Sequence, residues 1–287
     1  MARVLWHRLE VLNAVTYFSP ECRDAPARLG LQGFWMGYFA CRAAPMGAVG
    51  AGVVEATFYN FHPDRVRRAI PHAWTVLEPA DLVVVRATAA ASALRRLLGG
   101  DGADRLALDV LPVLQHAVDG ATGAGRPLFA ANRDVAVPED PVAALWQAVT
   151  ALREHRGDAH VALLTGAGLD GCEVHVLFAA CEGAPAAMYQ QSRGWSPEDW
   201  GQAVERLAFR GLLTGDGRPT EGGRALHAEI ERRTDDLAVE PYARMGHDPT
   251  RRLVTDLTPA AERIAAAGEV MFPNPMGLPR ESGSAAG

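Results

Sequence analysis

The chain has 287 residues, with 28 basic against 34 acidic side chains, a net charge of −6 and 48% hydrophobic residues. That length buries a sizeable core as one large or two ordinary domains. The acidic balance lowers the expectation of a nucleic-acid binder, which relies on a basic face for phosphate contacts. No apolar run approaches a bilayer span and the opening MARVLWHRLEVL is not a signal peptide, so a cytoplasmic protein without a membrane partner is expected. Cys22, Cys41, Cys172 and Cys181 show no C-x-x-C spacing, and neither disulfides nor a zinc knuckle are expected.

Apolar positions at helical spacing predict a first helix over 4–18. Ser19-Pro20-Glu21 starts a second, with Ser as N-cap, Pro in the first turn and Glu on the positive end of the dipole; it ends at Gly30. Gln32 to Arg42 predict a third, very apolar and so central. After a glycine loop, the β-branched and aromatic run 53–59 predicts a short strand. Helices follow over 63–74, 79–98 and 104–118. Residues 120–141 have no clear period and are taken as the connector between two modules. Beyond it, a helix over 142–155 is expected to end at Gly157, with Asp158 capping the next one. Helices over 170–182, 197–211, 221–238 and 258–267 follow, with a tight turn at 214–218. Residues 271–287 are rich in Pro, Gly and Ser and are expected to be disordered.

The two halves resemble each other. Gly30-Leu31-Gln32-Gly33-Phe34-Trp35 lines up with Gly168-Leu169-Asp170-Gly171-Cys172-Glu173, and each is followed by an apolar helix and a small-residue turn. Leu5-Trp6 is echoed by Leu145-Trp146. The expected architecture is mainly α with short β wings, as two modules related by internal duplication: 1–120 and 142–270.

Residues 195–238, WSPEDWGQAVERLAFRGLLTGDGRPTEGGRALHAEIERRTDDLA, resemble the latter half of a MarR-like winged helix. The resemblance implies a recognition helix ending near Leu212, a wing at 214–218, and a following helix opened by the T-E-x-G-R-like stretch 220–224. Through TYFSPE, GFWMGYF, TFYNFHP, REHRGDAH and RGW the whole chain also resembles a group of actinobacterial proteins known only as helix-turn-helix proteins. The exclusive use of Arg over Lys and the Ala, Gly and Pro load agree with such a source. The groove-facing helix, however, opens with Glu198 and Asp199 and continues to Glu205. Carboxylates there repel phosphates, so specific duplex DNA binding is not expected.

His155, His160 and His175 form the sharpest cluster of candidate chemistry. In a compact helical unit they could converge on a metal or haem, with His155 the first ligand and Asp158 or Glu173 orienting a ring, or His155 and Asp158 could work as acid and base. The plain alternative is that His155 and Asp158 cap helix ends and His175 is a core histidine. Tyr17 takes the place of His155 in the first copy and joins it as a candidate catalytic group. Trp35, Tyr38 and Arg42 lie on the first copy's central helix, and with Tyr59 and His62 they are candidate substrate contacts; a cleft between the modules would put Tyr17, Trp35, Tyr38 and Arg42 opposite the histidines. Gly166-Ala167-Gly168-Leu169-Asp170-Gly171 matches G-x-G-x-x-G, but its counterpart in the first half follows a helix, which argues against a dinucleotide turn. No G-x-S-x-G, H-E-x-x-H or P-loop is present. Three readings stay open: a small-molecule or cofactor binder, which could extend to an enzyme of specialised metabolism; a ligand-responsive regulator, which would be expected as a homodimer; and a DNA-repair enzyme on tandem winged helices.

Overall fold

The computed structural model describes residues 1–278. In chain order its helices are α1 (Ala2–Phe18), α2 (Pro20–Arg28), α3 (Gly33–Ala43), α4 (Ala51–Phe58), α5 (Pro63–Arg67), α6 (Pro79–Leu98), α7 (Gly100–Gly120), α8 (Pro127–Arg133), α9 (Pro141–Gly166), α10 (Glu173–Glu182), α11 (Ala186–Arg193), α12 (Pro197–Phe209), α13 (Glu221–Leu237), α14 (Glu240–Ala243) and α15 (His247–Ala266). Short 3-10 turns follow α3 and α5. The protein is mainly α. Among the described residues the β content is a single antiparallel bridge, Leu213 with Pro219, which pinches the turn between α12 and α13.

Several expectations are corrected. Residues 53–58 are helical, not a strand, and Tyr59 ends the helix: α4 packs Val54 and Phe58 into an apolar cluster with Phe39 and Leu82, and tertiary burial outweighs β-branched propensity. The expected break at Gly157 is absent. One helix, α9, runs from Pro141 to Gly166, because a glycine in a helix costs only about 1 kcal/mol and α9 is packed by α1, α6, α7, α8 and α13. Asp158 therefore does not cap its own helix. The connector contains α8, and the last helix begins eleven residues earlier than expected, at His247. Residues 271–278 are also ordered: Asn274 is buried, accepts from the backbone N–H of Met276 and Leu278, and donates to the carbonyls of Met271 and Leu278. The rest of the tail expected to be disordered, 279–287, lies outside the described residues.

The halves pack on each other through long helices: α1 lies on α15 and α9, and α9 is surrounded by α1, α6, α7, α8 and α13. The largest core is built from both halves, with Leu5, Leu12, Leu114, Trp146, Leu257 and Ile264 almost fully buried. Each such side chain contributes about 1.5–3 kcal/mol of burial free energy. Two smaller clusters flank it. One gathers Met36, Phe39, Phe58, Phe61 and Ile70 from the first half; the other gathers Leu169, Val176, Leu177, Ala203 and Leu207 from the second. The second is built from α10, α12 and α13 with the end of α9 and the pinched 213–219 turn. α12 starts in a full capping box: Ser196 accepts from the Asp199 N–H, and Asp199 accepts from the Ser196 N–H.

Candidate functional site

The two flanking clusters do not meet flush. Between them lies a cavity of ≈ 700 Å³, within the range of small-molecule sites. Tyr17 at the end of α1, Trp35, Tyr38 and Arg42 on α3, and Phe58 and Phe61 around the α4–α5 loop form its aromatic side. Arg153, Gly157 and His160 on α9 and Met188 and Arg193 on α11 form the other. Met271 to Met276 run along its rim as a strap. A second, more polar chamber of ≈ 390 Å³ shares Asn60, Arg153, Gly157, His160 and Arg193 with the first and adds His7, His175, His227 and Glu231.

The segment 58–62 holds the seam between the halves. The Asn60 N–H donates to the Phe58 carbonyl at 2.6 Å across Tyr59, whose φ of 55° and ψ of −55° make it the centre of a γ-turn of the rare, strained hand. The second half supplies the compensation. Tyr59 OH donates to the Leu169 carbonyl, Trp195 Nε1 donates to the Asn60 carbonyl at 3.0 Å, and the His62 N–H donates to the Arg193 carbonyl at 2.9 Å. The turn aims Asn60 and Phe61 into the cavity while Tyr59 and His62 grip the other half.

Charge around the cavity is largely paired. Arg42 makes a two-pronged bond to the buried Glu154, at 2.9 and 3.0 Å, and lies 4.2 Å above the Phe58 ring. Arg153 bonds Glu154 at 2.8 Å and Glu10 at 3.3 Å. Burial alone would push the Glu154 carboxyl up; the Arg153 and Arg42 guanidiniums outweigh it and hold it at about 2. Burial keeps His160 neutral, lowering it to about 4, with its Nδ1 3.0 Å from the Thr234 hydroxyl.

The candidates from sequence divide into two groups. Tyr17, Trp35, Tyr38, Arg42 and His160 line the first chamber, and His175 lines the second. His155, Asp158, Tyr59 and His62 line neither. His155 is 1% exposed, with its ring edge-on to Phe129 at 4.9 Å and Nε2 3.2 Å from Glu240; burial first, then Arg126, lowers it to about 3. It lies on the α8 side of α9, and the continuous helix removes the bend that was to free its ring. Asp158 accepts from the Phe129 N–H at 2.9 Å and so caps α8; burial raises its carboxyl to about 6. His62 caps α5 by accepting from the Asp64 N–H. Burial pushes the Tyr17 phenol up, which does not suit a base. The three histidines do not gather, and no group of three His, Cys, Asp or Glu placed to hold a metal occurs among the described residues. The sequence reading missed Arg193, Gly157 and Asn60. A signal was present: TYFSPE, GFWMGYF, TFYNFHP, REHRGDAH and RGW, the segments that carried the whole-chain resemblance, each supply residues to the cavity wall.

The fold and site define a mainly α protein with a half-open cavity lined by residues of both sequence halves. The chain belongs to a helix-turn-helix family, which it matches over residues 2–271. No curated protein and no solved structure matches it. Among the described residues no helix is long and apolar enough to cross a membrane.

Proposed function

We propose that the protein is a small-molecule binder built on a duplicated helix-turn-helix scaffold, and that the cavity between its halves is the binding site. One observation carries this reading: all five sequence segments of the whole-chain resemblance converge on that cavity from different elements. Packing alone needs no chamber of that size, since interiors leave few voids larger than a water. The duplication, with modules at 1–120 and 142–270 joined by 121–141, is supported by the presence of one flanking apolar cluster in each half. The modules share one core, so they are halves of a unit. In this reading Tyr17, Trp35, Tyr38, Arg42, His160 and His175 contact ligand, while His155, Asp158, Tyr59 and His62 hold the frame.

A ligand-responsive regulator is the second reading, favoured by the family and by the sequence resemblance of 195–238 to a MarR-like winged helix. The exposed side of α12 works against it. Glu198, Gln202, Glu205 and Phe209 face solvent, and the nearby cations are engaged: Arg206 with Asp170 and Glu173, Arg218 with Asp216. A helix reading DNA leaves cations free for phosphates.

The test is native mass spectrometry of the purified protein, followed by thermal-shift screening of small organic compounds. Saturable binding that is lost when Gly157→Leu fills the wall supports the site. Ligands that bind that variant as tightly as the wild type would move the site elsewhere. Duplex DNA binding that a cavity ligand switches on or off would favour the regulator.

A further inference from the structure

Arg193 sits where the two chambers join and lines both. It is 8% exposed. Its Nη2 donates to the Pro275 carbonyl at 3.0 Å, and its Cζ lies 4.6 Å from the centre of the Phe61 ring. Its Nε, fully buried, has no partner. Among the described residues it faces no carboxylate, unlike Arg42 and Arg153 beside it, which share Glu154 and Glu10. Of these three guanidiniums Arg193 alone has no carboxylate partner among the described residues. A buried cation with an idle donor is costly to the fold unless something completes it. The strap carbonyl and the Phe61 face meet part of that need; Nε itself is closed off from the cavity, and the part of the side chain that lines the two chambers is left for whatever fills them.

We propose that the ligand is an organic monoanion with a flat, apolar body, its carboxylate seated on Arg193 and its body among Trp35, Tyr38, Phe58 and Phe61. This rests on the cavity being the binding site. The aromatic wall offers stacked and edge-on faces to a planar body. The lone Arg193 guanidinium suits the single charge of a carboxylate, whereas a phosphate monoester brings nearly two negative charges to it. An amine would meet only like charge among the ionised side chains that line the first chamber, Arg42, Arg153 and Arg193. The fork of Arg193 suits planar carboxylate recognition, and its backbone is fixed by the His62 N–H, so its position is set before ligand arrives.

The experiment compares 1-pyrenecarboxylate with 1-pyrenemethanol, which differ in the head group alone, by energy transfer from tryptophan in the full chain. Wild-type protein should bind the carboxylate about tenfold or more tightly than the alcohol, as a charged hydrogen bond to a largely buried guanidinium implies. Arg193→Met should abolish that preference and leave the alcohol's affinity within about threefold. Equal wild-type affinity for the two probes overturns the assignment of an anion and leaves the cavity standing. So does an Arg193→Met variant that weakens both equally, since Arg193 would then be a wall residue only. Saturable binding of neither probe would count against the cavity itself. The wild-type comparison stands alone if Arg193→Met does not fold, which its melting curve shows.

Discussion

Gly171 lies directly against the backbone of Tyr59: a Cβ placed on Gly171 would run into the Tyr59 carbonyl oxygen and come within 3.2 Å of the Asn60 Cα and 3.3 Å of Trp195. The second half can brace the γ-turn at Tyr59 because this one position carries no side chain. Gly171→Ala must push the 58–62 segment away, and a backbone neighbour gives way less easily than a side chain. The expected cost is about 2–3 kcal/mol, with the Trp195–Asn60 bond lost. Urea denaturation measures the cost. A variant as stable as the wild type would show that the seam is loose.

Glu154 is held by Arg42 from one half and Arg153 from its own helix. Removing a buried carboxylate leaves two guanidiniums without their counter-charge, so Glu154→Ala should cost about 3–5 kcal/mol. Glu154→Gln keeps the shape and loses the charge. It should also destabilise, and it should tighten binding of anionic probes while the protein remains folded. Denaturation and probe titration on the same samples separate the two effects.

Burial sets opposite pH dependences on neighbouring residues of α9. His155 and His160 are lowered to about 3 and about 4, so between there and the ordinary imidazole value the unfolded chain binds more protons than the native one. Their contribution is complete above about pH 6.5 and is lost as pH falls towards 4. Asp158 is raised to about 6, and the native state then binds the extra proton. Its contribution is complete below the ordinary aspartate value and is lost as pH rises through 6. Stability should therefore fall on acidification from pH 7 to 4.5, because two histidines outweigh one aspartate. Asp158→Asn, whose amide oxygen can still accept from the Phe129 N–H, should be at least as stable as the wild type at pH 7. It should lose that advantage by pH 4. Denaturation at a series of pH values checks both, and a flat wild-type profile would show that the histidines are hydrated.

Periodicity and caps made most helices readable, as the Ser-Pro-Glu starts of α2 and α12 show. What failed was read from short local signals that long-range packing overrides. Gly157 looked like a helix end, yet it lies mid-helix and forms part of the cavity wall. Val53-Val54 looked like a strand, yet Val54 is needed in a helical cluster while Val53 faces solvent. His155 looked reactive because a bend was expected beside it; without the bend its ring turns into the α8 interface. Arg193 could not be singled out, because in a chain with 28 cations and no lysine an unpaired arginine is known only by its neighbours. The aromatic wall was legible, because Trp35, Tyr38 and Arg42 repeat at one helical turn.

The face of α12 gives the sharpest test of the regulator reading. Glu198 and Glu205 are exposed there beside Gln202, while Arg206 and Arg210 are folded back onto Asp170, Glu173 and the carbonyls of Ala167 and Gly168. A duplex approaching this face meets two carboxylates before any free cation. In fluorescence anisotropy with duplex DNA at about 50 mM salt, the wild type should show no specific binding at about 10⁻⁸ M, where specific complexes form. Glu198→Arg with Glu205→Arg should create weak, sequence-independent binding. Its log–log salt slope should steepen by about 0.9 for each phosphate that the new arginines neutralise. Neither residue packs in the core, so stability should change by no more than about 0.5 kcal/mol. Tight wild-type binding with a salt slope of several ions would mean that a surface other than α12 meets the DNA, and the regulator reading would then displace the one preferred above.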